Sequence, residues 1–123
     1  MTPPGRLVAF AATRDLDRAE RFYVDVLGLT LRTKNPGAVV LDSDGTELRV
    51  TLVQDKAHAP YTVLGWSVSD LTGQVTALRS RGLTFTRYPD LEQDGDDAWT
   101  ALDGTRVAWF TDPDGSVLSL HEI

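Results

Sequence analysis

Cysteine is absent from all 123 residues. That absence removes disulfides, thiolate metal sites and cysteine nucleophiles together, and it fits a reducing compartment. Basic charge is also scarce: 12 Lys and Arg stand against 18 Asp and Glu, a net charge of −6. A nucleic-acid partner needs a basic face to meet phosphates, so none is expected. Long apolar runs are missing too. The run that follows Arg6 is cut off by Arg14, too short for a signal peptide or a membrane span. The expectation is a soluble cytoplasmic protein with no membrane partner. Much of the acid lies in one stretch, Asp90 to Asp97. The net negative charge as a whole reads plainly as solubility, which this concentration in one stretch favours, and more sharply as attraction of a cationic ligand.

What is present is a doubled pattern. Val8 to Leu16 reads VAFAATRDL and Val63 to Leu71 reads VLGWSVSDL. Each is an apolar run that ends in Asp-Leu and leads into a helical pattern closed by glycine. Asp15 and Asp70 are 55 residues apart, and Gly28 and Gly82 are 54 apart. Such spacing predicts two copies of one supersecondary unit. The length fits one domain, residues 1–123. Within it the first module covers about 6–53, a linker about 54–60, and the second module about 61–123, with an insertion at about 89–104.

The elements follow from periodicity and turn chemistry. Leu7 to Thr13 predicts a buried strand. Asp15 is a good N-cap, and Leu16, Ala19, Phe22, Tyr23 and Val26 recur at helical spacing before Gly28. Strands are predicted at 29–33, 38–41 and 47–53, the last alternating Leu48, Val50 and Leu52 against Glu47, Arg49 and Thr51. The second copy repeats the order: strand 61–69, cap Asp70, a helix with Leu71, Val75 and Leu78, then strands at 83–88, 106–111 and 116–122. Asp112-Pro113-Asp114-Gly115 is a turn in which Pro113 presets φ and Gly115 accepts positive φ. The later strands keep a different offset, since Asp44-Gly45 matches Asp114-Gly115 at 70 residues.

Three segments carry a family resemblance: DLDRAERFYVDVLGL from Asp15, VSDLTGQVTALRSRGLTF from Val68, and VAWFTDPDGSVLSL from Val107. Together they resemble the vicinal oxygen chelate superfamily, also called the glyoxalase/bleomycin-resistance/dioxygenase fold. The resemblance implies an α+β fold of two βαβββ modules. Their strands would form a curved mixed sheet, with helices on the convex face and a ligand cleft on the concave face. It also implies a small-molecule ligand and a homodimer.

Metal-using members of that superfamily place four ligands, usually His, Glu or Gln, on the first, fourth, fifth and eighth strands. Carried over by spacing, those positions are Val8, Arg49, Val63 and Ser119. Valine cannot ligate, arginine is a fixed cation, and serine is a poor neutral ligand for a divalent ion. No cofactor is therefore expected. A divalent metal enters only through a shifted set, for which Glu47, His121 and His58 are the weak candidates. Each has an ordinary alternative: an ion pair for Glu47, a hydrogen-bonded residue near the chain end for His121, an exposed linker residue for His58. A calcium loop also fails: Asp90, Glu92, Asp94 and Gly95 suit its first positions, but Ala101 falls where a bidentate Glu is required. A solvated acidic loop is the expectation there.

The polar groups left for a ligand are Arg49, Thr51, Ser67, Ser119 and His121, with Phe10 and Val63 as apolar wall. Trp99, on the insertion, is placed to close over the opening. Trp109 could face the ligand or the core, and Trp66 is expected against a helix. Arg49 suits equally an ion pair with Glu47 and a clamp on an anionic or carbonyl-bearing ligand. The expected function is metal-free binding of an aromatic or antibiotic-like small molecule, with no catalytic residue assigned. The alternative is a metal-dependent lyase, isomerase or dioxygenase using the shifted ligands. A metal-free enzyme with His121 as base and Arg49 as stabiliser is the third reading.

Overall fold

Two aspartates start the two helices. Asp15 accepts the Arg18 N–H at 3.1 Å and Asp70 accepts the Gly73 N–H at 3.0 Å, so each satisfies an amide that the first helical turn leaves unpaired. The computed structural model describes residues 1–55, 57 and 59–123. The chain divides into two compact units, Met1–Ala57 and His58–Ile123.

The first unit runs β1 (Val8–Thr13), α1 (Leu16–Glu20), β2 (Thr30–Asn35), β3 (Ala38–Ser43) and β4 (Thr46–Leu52). Its sheet has the order β1-β4-β3-β2, with β1 and β4 parallel and the other pairs antiparallel. The expected helix to Val26 forms, but α1 gives way to a π-helical stretch over Arg21–Val26. There the Leu27 N–H reaches Phe22 O at 3.1 Å. Gly28, at φ +82, ends it, and the Leu29 N–H closes back on Tyr23 O at 2.9 Å. Ala19, Phe22 and Tyr23 are buried with Val39, Leu41, Leu48 and Val50, and α1 packs on β3 and β4. Burial of each large side chain here contributes about 1.5–3 kcal/mol.

The second unit runs β5 (Thr62–Ser67), α2 (Leu71–Ser80), β6 (Trp99–Thr100), β7 (Arg106–Thr111) and β8 (Val117–Glu122). Its sheet has the order β5-β8-β7-β6, with β5 and β8 parallel. The two sheets repeat each other in register. Phe10 faces Arg49 and Gly65 faces Ser119, which keeps both the 55-residue and the 70-residue offsets. Within the parallel pairs the repeat breaks at the start of β5, where the register shifts between Thr62 and Leu64. The fold is therefore α+β, built from two four-stranded mixed sheets.

One predicted strand does not form. Of residues 83–88, only Thr86 bridges to Trp109. The side chain of Gln93 takes the bonds a strand partner would take: it accepts from the Tyr88 N–H at 2.7 Å and donates to Thr86 O at 2.9 Å. The short β6 supplies the fourth strand instead. The acidic insertion is also not a loose solvated loop. Asp94 and Asp96 bind Arg106 at 2.9 and 3.0 Å, and Asp97 binds Arg79 at 2.6 Å and Arg87 at 2.7 Å. The DPDG turn is structural: buried Asp112 accepts the N–H groups of Asp114 and Ser116 at 3.0 and 2.9 Å. Among the described residues, no helix is long and apolar enough to cross a membrane.

Candidate functional site

Strand alternation gives the second sheet two chemically different faces. One is the core: Ala108, Phe110, Leu118 and Leu120 are buried with Leu71, Val75 and Leu78 of α2. Phe110 meets Phe85 at 5.6 Å, and Arg79 of α2 lies 6.0 Å from the Phe85 ring. This identifies the helix-covered face, and Trp66 belongs to it through its pairing with Leu120.

The opposite face carries Gly65, Ser67, Ser119, His121, Val107 and Trp109 by register. Trp99 joins them because it pairs with Val107. Trp109 is the centre. Its indole Nε1–H donates to Thr62 Oγ1 at 3.1 Å. The Tyr88 ring meets it edge-on at 5.4 Å, and the Trp99 ring lies beside it at 6.1 Å. Such geometry suits ring quadrupoles and holds all three side chains in place. Trp99 is thus a sheet residue packed on Trp109 rather than a lid over an opening.

A pocket of about 340 Å³ opens beside Trp109, lined by Tyr61, Thr62, Tyr88, Asp90 and Val117 among others. A second pocket of similar volume lies at Trp99, with Glu92, Gln93 and Asp94. Tyr61, Tyr88 and Asp90 were not expected at a site. Tyr88 sits at the end of a segment read as a strand, and Tyr61 at the exit of a linker. Neither position carries a sequence signal that it faces a pocket.

The other residues of this face are placed as follows. Ser119 is buried at 6% exposure. A Cβ on Gly65 would stand 2.9 Å from Ser119 Oγ and 3.8 Å from His121 Nδ1, so glycine at 65 leaves room for both. Ser67 is exposed beside His121, its register partner. Val63 is partly exposed.

In the first sheet, Val8, Phe10 and Ala12 share a face with Glu47, Arg49 and Thr51. Phe10 is 61% exposed, unusual for phenylalanine in a strand. Arg49 Nη1 lies 3.6 Å from Glu47, which realises the ion-pair account. Thr51 Oγ1 donates to Ala11 O at 3.3 Å. Asp42, further along this face, holds Arg32.

The four family ligand positions thus present two valines, an arginine paired with Glu47, and a buried serine. This donor set does not fit a divalent ion, which wants carboxylates or imidazoles. Among the described residues, no three His, Cys, Asp or Glu side chains are grouped so as to hold one. His58 lies outside the described residues.

The same two-sheet architecture recurs in known proteins. Residues 6–120 match the Glyoxalase/Bleomycin resistance protein/Dioxygenase superfamily, and the chain belongs to that superfamily. The fold is similar to that of a glyoxalase/bleomycin resistance protein/dioxygenase from Alicyclobacillus acidocaldarius, at 22% identity and a TM-score of 0.74, covering 98% of this chain and 92% of that one. Lactoylglutathione lyase from Agrobacterium tumefaciens is similar at 19% identity and a TM-score of 0.69, over 98% and 95% of the two chains. TioX from Micromonospora sp. ML1 is similar at 20% identity and a TM-score of 0.69, over 96% and 98%. No match was found among curated proteins.

Proposed function

We propose that this protein binds a planar, aromatic small molecule without a metal ion. The carrying observation is the Tyr88–Trp109–Trp99 array on the helix-free face of the second sheet, locked by the Trp109–Thr62 hydrogen bond and bordered by a pocket of about 340 Å³. That volume lies at the lower end of the range for small-molecule sites, and fixed aromatic rings offer stacking area at little entropic cost. Ser67 and His121 supply polar groups on the same face, with Ser119 buried between Gly65 and Trp109 in register. Val63 is a further candidate contact on this sheet, and Phe10, Arg49 and Thr51 are candidates on the first sheet, each sheet taken by itself. The donor set at the family's ligand positions supports the metal-free reading.

Tryptophan fluorescence tests this directly, because two of the three tryptophans lie in the array. Titration with a panel of aromatic and peptide antibiotics is expected to quench or shift the emission for at least one class, and Trp109→Phe to remove most of the response. Silence across the whole panel would sink the reading. The competing reading is a metal-dependent enzyme, supported by the fold it shares with a lactoylglutathione lyase. Stoichiometric metal in protein purified without chelator would revive it and sink the metal-free reading. We take the functional form to be a homodimer, as the family resemblance implies, which sedimentation equilibrium checks.

A further inference from the structure

The pocket beside Trp109 has a charge character that its aromatic rings alone do not explain. Asp90 lines it together with Tyr61, Tyr88 and Trp109, and no lysine or arginine is among the described lining residues. Asp90 is held in position by a tight turn. Pro89 follows Tyr88, and the Leu91 N–H bonds back to Tyr88 O at 3.1 Å, a geometry that proline at the second turn position favours.

Three acids that follow Asp90 are already committed. Asp94 and Asp96 hold Arg106, and Asp97 holds Arg79 and Arg87. Asp90 has no ion-pair or hydrogen-bond partner among the described residues. A carboxylate with no partner among the described residues, beside three electron-rich rings, is a site for positive charge. Ring faces attract ammonium and guanidinium groups through their quadrupoles, and the carboxylate adds a direct Coulomb attraction. An anionic ligand would meet repulsion from both. The overall charge of −6 favours the same sign of ligand over longer range.

We infer that the pocket selects organic cations: an aromatic ring bearing a quaternary ammonium or protonated amine, with the charge at Asp90 and the ring against Trp109. The inference rests on the aromatic-ligand reading and gives that ligand its charge.

The test uses the full-length, ¹⁵N-labelled protein and three probes of matched ring size: benzyltrimethylammonium, benzyl alcohol and benzenesulfonate. The readout is the indole N–H resonance of Trp109, assigned by its loss in Trp109→Phe. The cation is expected to move this resonance and to bind at least about fivefold more tightly than benzyl alcohol, with an affinity that falls as salt is raised. Asp90→Asn is expected to weaken the cation by about three- to tenfold while leaving benzyl alcohol unchanged. Asp90 is exposed and has no partner among the described residues, so the variant is expected to keep the wild-type circular dichroism spectrum. Equal or tighter binding of benzyl alcohol or benzenesulfonate would overturn the cation preference while upholding the aromatic site. Cation binding that is indifferent to Asp90→Asn would also overturn it. If none of the three probes moves the resonance, this inference falls, while the aromatic-ligand reading is decided by the antibiotic panel.

Discussion

Gly65 and Ser119 face each other on adjacent parallel strands, and a single added carbon on Gly65 would stand 2.9 Å from Ser119 Oγ. Ser119 is buried, so its hydroxyl cannot swing freely into water to make room. Gly65→Ala is therefore expected to destabilise the protein by about 1–3 kcal/mol, as overpacking does. In a Ser119→Ala background the obstructing oxygen is gone, and alanine regains the strand preference that glycine lacks. The cost is then expected to vanish or change sign, a coupling that a double-mutant cycle by denaturant unfolding reads directly. Additive effects would show that the contact is not the reason for glycine at this position.

Thr62 anchors the indole of Trp109 through its hydroxyl at 3.1 Å. Thr62→Val keeps the shape and removes the acceptor. Trp109 is partly exposed, so water can replace the bond, and the expected loss is about 0.5–1.5 kcal/mol. The larger expected effect is on order. The indole N–H resonance of Trp109 should broaden or shift, and any aromatic ligand should bind more weakly because the ring is no longer pre-positioned. An unchanged indole resonance would show that Tyr88 and Trp99 hold the ring without Thr62.

Much of this arrangement was legible in the sequence, and the exceptions have local causes. The paired offsets of 55 and 70 residues reappear as strand register, Phe10 to Arg49 and Gly65 to Ser119, because register must be kept where one face of a sheet is buried. The 83–88 segment misled, since its alternation is strand-like while its bonding partner is a side chain, Gln93. No pattern of hydrophobicity announces that an amide side chain will close a backbone edge. The insertion read as solvated acid because its partners, Arg79, Arg87 and Arg106, lie up to 18 residues away in sequence. The aromatic pocket was half visible: Trp99 and Trp109 were candidates, whereas Tyr61, Tyr88 and Asp90 come together only through the turn at Pro89 and the start of β5.

Arg49 occupies a family ligand position yet pairs with Glu47 at 3.6 Å, both side chains being partly exposed. A pair of this kind contributes little, and Arg49→Ala is expected to change stability by less than about 1 kcal/mol. Protein purified without chelator is expected to carry only substoichiometric metal, and added chelator to leave its melting temperature unchanged. A chelator-induced fall in melting temperature, or whole-number metal content, would mean that the chain assembles a donor set other than the one its family positions offer.

Arg106 is the fastener of the insertion. Its guanidinium binds Asp94 and Asp96 while Thr72 donates to Asp96 at 2.7 Å. For Asp94, burial acts to raise the carboxyl pKa, but the Ala98 amide and Arg106 outweigh it and the net direction is down. The Thr72 hydroxyl, then Arg106, lower that of Asp96. Carboxyls lowered in the folded state stabilise it fully above their unfolded pKa of about 3.9 and lose that contribution as pH falls through the folded values. Stability from this cluster should accordingly be level from neutral pH down to about pH 5 and decline below about pH 4. Arg106→Gln is expected to cost about 1–2 kcal/mol at pH 7, discounted for partial exposure, and to flatten the acid decline. The flattening is partial, because Asp17 and Asp42, held by Lys34 and Arg32, are lowered as well. Urea midpoints measured from pH 7 to pH 3 for both proteins decide it. Parallel acid limbs in the two proteins would show that the carboxylates around Arg106 do not set the acid stability of this fold.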